Sequence, residues 1–151
     1  MRRTILFVSL IVASVSARLF ELDLNNEVHR AAIKTQAVQL NVTNADKLRI
    51  VVNENPTTGY KWQLAAKSDA NSTVFAVDGD QFKRNVANNP SGQPMLGSGG
   101  VRVLTIAATQ AGVDTLEMAY VRSWEVPANH TGSLSTLLHA GYYDIQIQVI
   151  Q

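Results

Sequence analysis

Three short segments carry the side chains of this chain that are best suited to act on another molecule. They are Asn55-Pro56-Thr57-Thr58-Gly59, Gly97-Ser98-Gly99-Gly100 and Arg122-Ser123-Trp124. Each lies where a strand-like pattern starts or stops, so each is predicted to be a loop. None of them holds a nucleophile, a paired acid and base, or a metal-binding cluster. The three segments therefore predict a protein that binds a partner and does not transform it.

The rest of the chain has few residues whose type and spacing suit catalysis or metal binding. The histidines, His29, His130 and His139, are scattered, and their spacing matches no metal motif. The absence of cysteine excludes thiol catalysis and cysteine-ligated metals. Serine is present, but no Gly-x-Ser-x-Gly element frames a nucleophile. We therefore expect no enzyme activity, no metal and no cofactor.

Alternation of apolar and polar residues dominates the chain from Ala37 onwards. Such a period of two, rich in β-branched residues, is typical of half-buried strands. The strand patterns lie at 37–42, 48–52, 60–64, 101–107, 115–121 and 143–149. Residues 84–100 have loop composition, and residues 133–139 have room for one or two helical turns. Several short strands separated by turn signals predict an all-β sandwich.

Two finer features of this sandwich follow from the same pattern. A turn at Ala111–Asp114 makes residues 115–121 the expected hairpin partner of residues 101–107. Trp62 shares one strand face with apolar neighbours two residues away on either side, so it is assigned to the core.

The first 17 residues have the composition of a secretory signal peptide. Arg2 and Arg3 form a positive start, Ile5–Val12 is apolar, and small residues precede a cleavage site after Ala17. The apolar stretch is shorter than the ~20 residues that a membrane span needs. We therefore expect a mature protein that is secreted or held in a lumenal compartment, such as a lysosome-like vesicle.

The remaining residues divide into two parts. Residues 18–35 are expected to be an N-terminal extension that is polar and irregular over residues 18–30, either flexible or a short pro-segment. Residues 36–151 are expected to form a single folded domain. Signal cleavage would leave 11 basic against 12 acidic residues, a net charge of −1. Nucleic acids and anionic membranes attract basic proteins, so neither is an expected partner.

Three Asn-x-Ser/Thr sequons lie in the chain. Asn41, Asn71 and Asn129 are therefore possible N-glycosylation sites if the source organism glycosylates secreted proteins.

The order and spacing of the three loop segments resemble the chagasin-type inhibitors of papain-family cysteine proteases. The resemblance covers residues 36–151. Its most specific element is the Asn-Pro-Thr-Thr-Gly segment Asn55–Gly59, followed by the aromatic-x-Trp element Tyr60–Trp62. Gly97–Gly100 matches the family's Gly-x-Gly-Gly, and Arg122–Trp124 matches its Arg-Pro-Trp or Arg-Pro-Phe.

The resemblance implies an immunoglobulin-like β-sandwich with three binding loops at one end, which plug the active-site cleft of a cathepsin L-like protease. Thr57 and Thr58 would lie over the catalytic cysteine–histidine pair. The glycine loop would approach the cleft wall with its backbone. Trp124 would be the aromatic anchor, with Arg122 supporting the loop or pairing with acids of the protease. A monomer is the simplest form for such a plug.

The chain departs from the family pattern in two places. Ser123 stands where the family usually has proline, which removes a residue that would stiffen the third loop. The segment Pro127–Ala140 is long, and the sequon at Asn129 lies five residues after Trp124.

An immunoglobulin-like adhesion or sugar-binding module is the alternative interpretation. A secreted sandwich with exposed aromatic residues suits that function as well. Binding to cell surfaces or glycans that survives both Trp124→Ala and mutation of Asn55–Gly59 would favour this alternative.

Overall fold

The computed structural model describes residues 17–67, 73–85, 90–93 and 97–151, and the strands in these ranges form two four-stranded sheets. In chain order the helix and strands are β1 (Leu19–Asp23), α1 (Glu27–Ile33), β2 (Val38–Asn41), β3 (Lys47–Glu54), β4 (Tyr60–Ala66), β5 (Phe75–Arg84), β6 (Gly100–Ala108), β7 (Gly112–Arg122) and β8 (Gly141–Ile150). No helix in the described part of the chain is long and apolar enough to cross a membrane.

The two sheets pack face to face as a β-sandwich. Sheet A has the strand order β1-β3-β6-β5, and sheet B has the order β2-β8-β7-β4. Alternate residues of the central strands point between the sheets and are buried, as the period-two pattern predicts. The largest fully buried side chains include Leu48, Ile50, Leu104, Ile106, Leu116, Met118, Ile145 and Ile147. The predicted all-β sandwich is confirmed, and Trp62 lies in its core.

The predicted hairpin between residues 101–107 and 115–121 is wrong. β6 pairs with β3 and β5 in sheet A, whereas β7 pairs with β4 and β8 in sheet B. After β6, the backbone N–H groups of Thr109 and Gln110 donate to the Val74 carbonyl, at 3.0 and 3.4 Å. A hairpin would instead have paired them with the start of β7. The chain therefore crosses between the sheets at residues 109–111, and the predicted turn at Ala111–Asp114 is wrong because Gly112–Asp114 are already part of β7. Side chains of β6 and β7 then meet in the core between the sheets.

The expectation of an irregular segment at residues 18–30 is also wrong, since it contains β1 and most of α1. β1 runs parallel to β3 at the edge of sheet A, and its inward side chains Phe20 and Leu22 belong to the main core. Helix α1 follows, with Asn26 as its N-cap and Ile33 buried. These residues are part of the sandwich and not an appendage to it. The predicted signal peptide lies almost wholly outside the described residues, as does Asn71.

A long segment covers the outer face of sheet B before β8 begins. We call residues 127–140 the strap; its one 3-10 turn spans Leu134–Thr136, within the stretch where helical turns were predicted. Leu134 and Leu137 of the strap pack on Ala119 and Val121 of β7 in a second, smaller core. The strap thus buries apolar side chains that would otherwise face solvent.

Replacement of Leu22 by alanine tests whether β1 belongs to the folded unit. Leu22 is fully buried, so we expect Leu22→Ala to lower the free energy of unfolding by about 2–5 kcal/mol in urea denaturation. Leu138→Ala is the matched control, because Leu138 is 74% exposed and should change stability by less than about 0.5 kcal/mol. Equal stability of the two variants would show that β1 is dispensable for the fold.

Candidate functional site

The three predicted loops lie together at one end of the sandwich. Loop 1 (Asn55–Gly59) connects β3 to β4, loop 2 (Gly97–Gly100) leads into β6, and loop 3 (Arg122–Trp124) follows β7. The strand register brings them together, since Glu54 lies opposite Gly100 in sheet A and Tyr60 lies opposite Arg122 in sheet B. Loop 1 is therefore the crossing between the sheets, flanked by loop 2 on one side and loop 3 on the other.

Loop 1 is a tight 3-10 turn that its own residues stabilise. The Asn55 carboxamide oxygen accepts hydrogen bonds from the Thr57 amide (3.3 Å) and the Thr57 hydroxyl (2.6 Å). The Thr58 hydroxyl donates to the Asn55 carbonyl at 2.7 Å. Pro56 opens the turn, and Gly59 closes it with a left-handed φ of 81°. The side chains of Thr57 and Thr58 are left exposed at the tip.

A column of aromatic rings supports loop 1 from the core. Trp62 stacks between Tyr143 and Tyr120, at centroid distances of 5.4 and 4.9 Å, and Tyr120 contacts Tyr60 at 5.2 Å. The Tyr120 hydroxyl accepts a 2.8 Å hydrogen bond from the Asn55 amide. The first residue of loop 1 is thus fixed to an aromatic column that has the buried Trp62 at its centre.

Loops 1 and 3 are in direct contact. The indole of Trp124 lies across Gly59 so closely that a Cβ atom added there would be 2.1 Å from the ring. Gly59 is therefore required twice, for its backbone conformation and for the approach of Trp124. Trp124 keeps 68% of its surface exposed and does not fold into the core, where Trp62 lies instead. The outer face of the indole is free to contact another molecule.

Arg122 fixes loop 3 to the rest of the site. Its guanidinium lies 4.6 Å from the ring centroid of Tyr60 and 5.8 Å from that of Trp124. It also forms an ion pair with Glu125 at 3.6 Å. Ser123 begins a 3-10 turn over Ser123–Glu125, so the loop has a defined turn without the proline of the family pattern. These contacts hold the indole in place through the cation–π attraction and local backbone geometry.

The glycines of loop 2 are required mainly by contacts inside the protein. A Cβ at Gly99 would lie 2.8 Å from the Glu54 carbonyl, and a Cβ at Gly100 would lie 2.2 Å from the Lys83 carbonyl. Gly97 differs, because the space around it is open and its φ is 82°. The expected backbone approach to a partner therefore fits Gly97 better than the other two glycines.

Loop 2 is joined to its neighbours through hydrogen bonds. The Asn55 side-chain amide donates to the Gly97 carbonyl at 3.3 Å, which links loops 1 and 2. The Ser98 hydroxyl donates to the Asn85 carbonyl at 3.2 Å, and the Asn85 amide donates to the Gly99 carbonyl at 3.0 Å. All three loops thus form one connected surface with loop 1 at its centre.

Sequence reasoning missed the residues that support this surface from beneath. The sequence pattern identifies Tyr120 only as part of a strand, whereas the structure pairs it with Trp62, which explains its supporting role. Glu117, also in β7, is buried and accepts hydrogen bonds from the strap: from the Leu134 amide (3.1 Å) and the Ser133 hydroxyl. It also accepts one from the Tyr142 hydroxyl at 2.5 Å. Glu117 lies on the outer face of β7 together with Ala119 and Val121, and no local pattern in the sequence shows that the strap covers this face.

The hydrogen bond to Glu117 also affects the pKa of the Tyr142 phenol. Burial raises the pKa of the Tyr142 phenol above its ordinary value, and hydrogen bonds to Asp144 and Glu117 raise it further. Tyr142 therefore stays a protonated donor at physiological pH.

The site has the groups for binding and lacks those for catalysis. Its tips present threonine hydroxyls, backbone groups and an indole, with Arg122 and Glu125 as the charged pair nearest to them. Within residues 17–67, 73–85, 90–93 and 97–151, no group of three His, Asp or Glu side chains is arranged to hold a metal. Such a surface is suited to binding another molecule.

Comparison with known proteins agrees with this geometry. Residues 41–135, which include all three loops, match the model of the chagasin family of peptidase inhibitors. Chagasin from Trypanosoma cruzi is 25% identical over 114 residues, which cover 74% of this chain and 97% of that protein. Amoebiasin-2 from Entamoeba histolytica is 28% identical over 98 residues, which cover 65% of this chain and 73% of that protein.

Two solved structures share the fold. The crystal structure of a cysteine protease inhibitor from Entamoeba histolytica matches with a TM-score of 0.58 and 22% identity, covering 89% of this chain and 96% of that one. The solution structure of Amebosin matches with a TM-score of 0.53 and 19% identity, covering 87% and 97%. The sandwich is therefore immunoglobulin-like, as the resemblance implied. Because the family model spans well over half of the sequence, the chain belongs to the chagasin family of peptidase inhibitors, and it is not an enzyme.

Proposed function

We propose that this protein inhibits papain-family cysteine proteases of the cathepsin L-like type by filling their active-site cleft with loops 1, 2 and 3. The supporting observation is the contact between Trp124 and Gly59, which joins loops 1 and 3 into a single rigid wedge. Membership of the inhibitor family gives the general activity. A solved structure with the same fold is that of a cysteine protease inhibitor, which supports cysteine proteases as the targets.

Loop 1 is suited to block the cleft without being cleaved. A papain-type enzyme attacks an extended peptide with its cysteine–histidine pair. Residues 56–58 form a 3-10 turn, so their peptide bonds are not presented in an extended conformation. Thr57 and Thr58 would fill the space above the catalytic pair, since they are narrow, stiff at χ1 and able to hydrogen-bond.

Loops 2 and 3 would contact the two walls of the cleft. Gly97 presents bare backbone in open space, which suits strand-like pairing with a protease segment. Trp124 supplies a large exposed aromatic surface that is already held in position, and such residues dominate many interfaces. The interface should bury about 1,600 Å² in total, as protease–inhibitor complexes do.

The route of the protein through the cell is part of the same proposal. We infer that residues 1–17 direct the chain into the secretory pathway, where it acts as a monomer outside the cell or in a lumenal compartment. Among the described sequons, Asn129 favours glycosylation because it is exposed, whereas the Asn41 carboxamide oxygen is engaged by the Asn44 amide at 3.0 Å. A glycan at Asn129 would lie on the strap, near loop 3.

A titration of active-site-counted papain with residues 18–151 tests the activity. We expect linear loss of papain and cathepsin L activity to a one-to-one end point, because each molecule carries one wedge. Trypsin should keep full activity, and the inhibitor should be recovered uncut. Full papain activity at micromolar concentrations of the folded protein would contradict the proposal.

Replacement of Gly59 by alanine tests the wedge. The new Cβ would displace the Trp124 indole, so we expect Gly59→Ala to raise the inhibition constant for papain at least tenfold. Gly92→Ala is the matched control, since Gly92 has almost the same φ, 80°, but open space around it. It should carry only the backbone strain, about 1–3 kcal/mol of stability, with inhibition unchanged. Equal inhibition by the two variants would contradict the importance of the Trp124 contact.

Restoration of the family proline tests how loop 3 is ordered. Arg122 has a ψ of 130°, the extended conformation preferred before proline, and Ser123 is the first residue of a 3-10 turn, where proline fits. We expect Ser123→Pro to slow dissociation from papain about two- to fivefold, by lowering the cost of ordering the loop by roughly 0.4–1 kcal/mol. An unchanged dissociation rate in stopped-flow or surface-binding measurements would show that Ser123 leaves the loop already fully ordered.

A further inference from the structure

The two arms of loop 1 need a support that backbone pairing cannot supply. β3, which enters the loop, belongs to sheet A, and β4, which leaves it, belongs to sheet B. In a hairpin, ladder hydrogen bonds would join the two arms directly. Here each arm pairs with a different neighbour, β3 with β6 and β4 with β7, so the mouth of loop 1 is open on the side between the sheets.

Glu54 and Arg102 close this gap with their side chains. Glu54 is the last residue of β3, and its carboxylate accepts a 2.9 Å hydrogen bond from the Trp62 amide of β4. Arg102 of β6 donates to the Trp62 carbonyl at 2.5 Å and to the same Glu54 carboxylate at 3.1 Å. The backbone amide and the backbone carbonyl of Trp62 are thus both held by the Glu54–Arg102 ion pair of sheet A.

Asp80 completes the arrangement from the edge strand β5. Its carboxylate accepts two hydrogen bonds from the Arg102 guanidinium, at 2.8 and 2.5 Å. This hydrogen bonding to Arg102 lowers the pKa of Asp80 below its ordinary value, and it raises the pKa of Arg102 above its own. The guanidinium therefore stays charged. The two parallel hydrogen bonds to Asp80 also fix the orientation of its planar group, so that its remaining N–H donors point at Glu54 and the Trp62 carbonyl.

The position of the Glu54–Arg102 pair indicates a role in ordering the loops, beyond a contribution to the stability of the whole fold. The side chains of Glu54 and Arg102 are 4% and 15% exposed, and a buried ion pair is costly to desolvate. Arg102 lies two residues after loop 2, and Glu54 directly precedes loop 1. The pair thus lies at the base of two of the three loops, with Trp62 of the aromatic column as its third member.

We propose that the Glu54–Arg102 pair, oriented by Asp80, is a positioning device that holds loop 1 in its inhibitory conformation before the protease is met. The ordering of loop 1 is argued from the contacts above. The effect of that order on protease inhibition rests on the proposed function. A loop ordered in advance binds more tightly because less conformational entropy is lost on association.

Arg102→Lys is the informative substitution. Lysine keeps the positive charge, but a single ammonium cannot hold Glu54, Asp80 and the Trp62 carbonyl together. We expect about tenfold weaker inhibition of papain, faster hydrogen exchange of the Trp62 amide, and lower ¹⁵N order parameters at Thr57, Thr58 and Gly59. The order parameters should fall from about 0.85 towards 0.6 in the free inhibitor. Amide exchange in β8 should stay as in the wild type.

Asp78→Asn is the matched control, because Asp78 pairs with Lys47 between β3 and β5 at the opposite end of sheet A. It should change neither the order of loop 1 nor inhibition. Asp80→Asn is a second, milder test that leaves the buried pair in place and should give an intermediate effect. If Arg102→Lys does not fold, the Asp80→Asn variant tests whether the pair orders loop 1.

The outcomes separate this inference from the proposed function. Wild-type order of loop 1 and wild-type inhibition in both Arg102→Lys and Asp80→Asn would overturn the positioning role. Uniformly faster exchange throughout β8 would also overturn it, since the pair would then serve the whole fold. If the wild-type protein fails to inhibit papain, the proposed function fails, whereas the order parameters and the Trp62 exchange still test the positioning of loop 1.

Discussion

The crossing of the chain from one sheet to the other at residues 55–59 is the constraint on which the binding surface depends. A connection between sheets has no ladder hydrogen bonds to shape it, so its conformation must come from its own residues and from side chains below it. Asn55 and the two threonines bond the turn internally, and Gly59 supplies the left-handed residue that ends it. Tyr120 then fixes the start of the turn to the core.

Loop 3 is stabilised by a different set of contacts. Without a proline, its order depends on Arg122 packed against Tyr60, and on the indole resting on Gly59. The strap contributes from the outer face of sheet B, where Glu117 is buried and binds the strap backbone. The long segment before β8 is thus a structural element of the sandwich.

Much of this arrangement could be predicted from the sequence. The three loop segments, the sandwich and the core position of Trp62 all follow from turn residues and period-two alternation. β1 was missed although Phe20, Leu22 and Leu24 do alternate with polar residues, so the signal was present. β5 had no such signal, because Phe75 is its one buried side chain and the strand lies at the edge of sheet A.

Other features are invisible to local patterns because they are contacts between distant residues. The break in the strand pattern lies at residues 109–111 and not at Ala111–Asp114, because Gly112–Asp114 already belong to β7 and pair with β8. Turn chemistry alone also does not say which sheet the next strand joins. The close approach of Trp124 to Gly59 and the bonds of Arg102 to Trp62 depend on packing between sheets. They emerge only when the strands are placed in three dimensions.

Hydrogen–deuterium exchange of the inhibitor, free and bound to papain, tests the central claim most directly. The account predicts that binding slows exchange at residues 55–59, 97–100 and 122–124 and leaves the β1 edge, the β5 edge and the strap unchanged. Protection centred on any of those other surfaces, with the three loops exchanging as in the free protein, would contradict it.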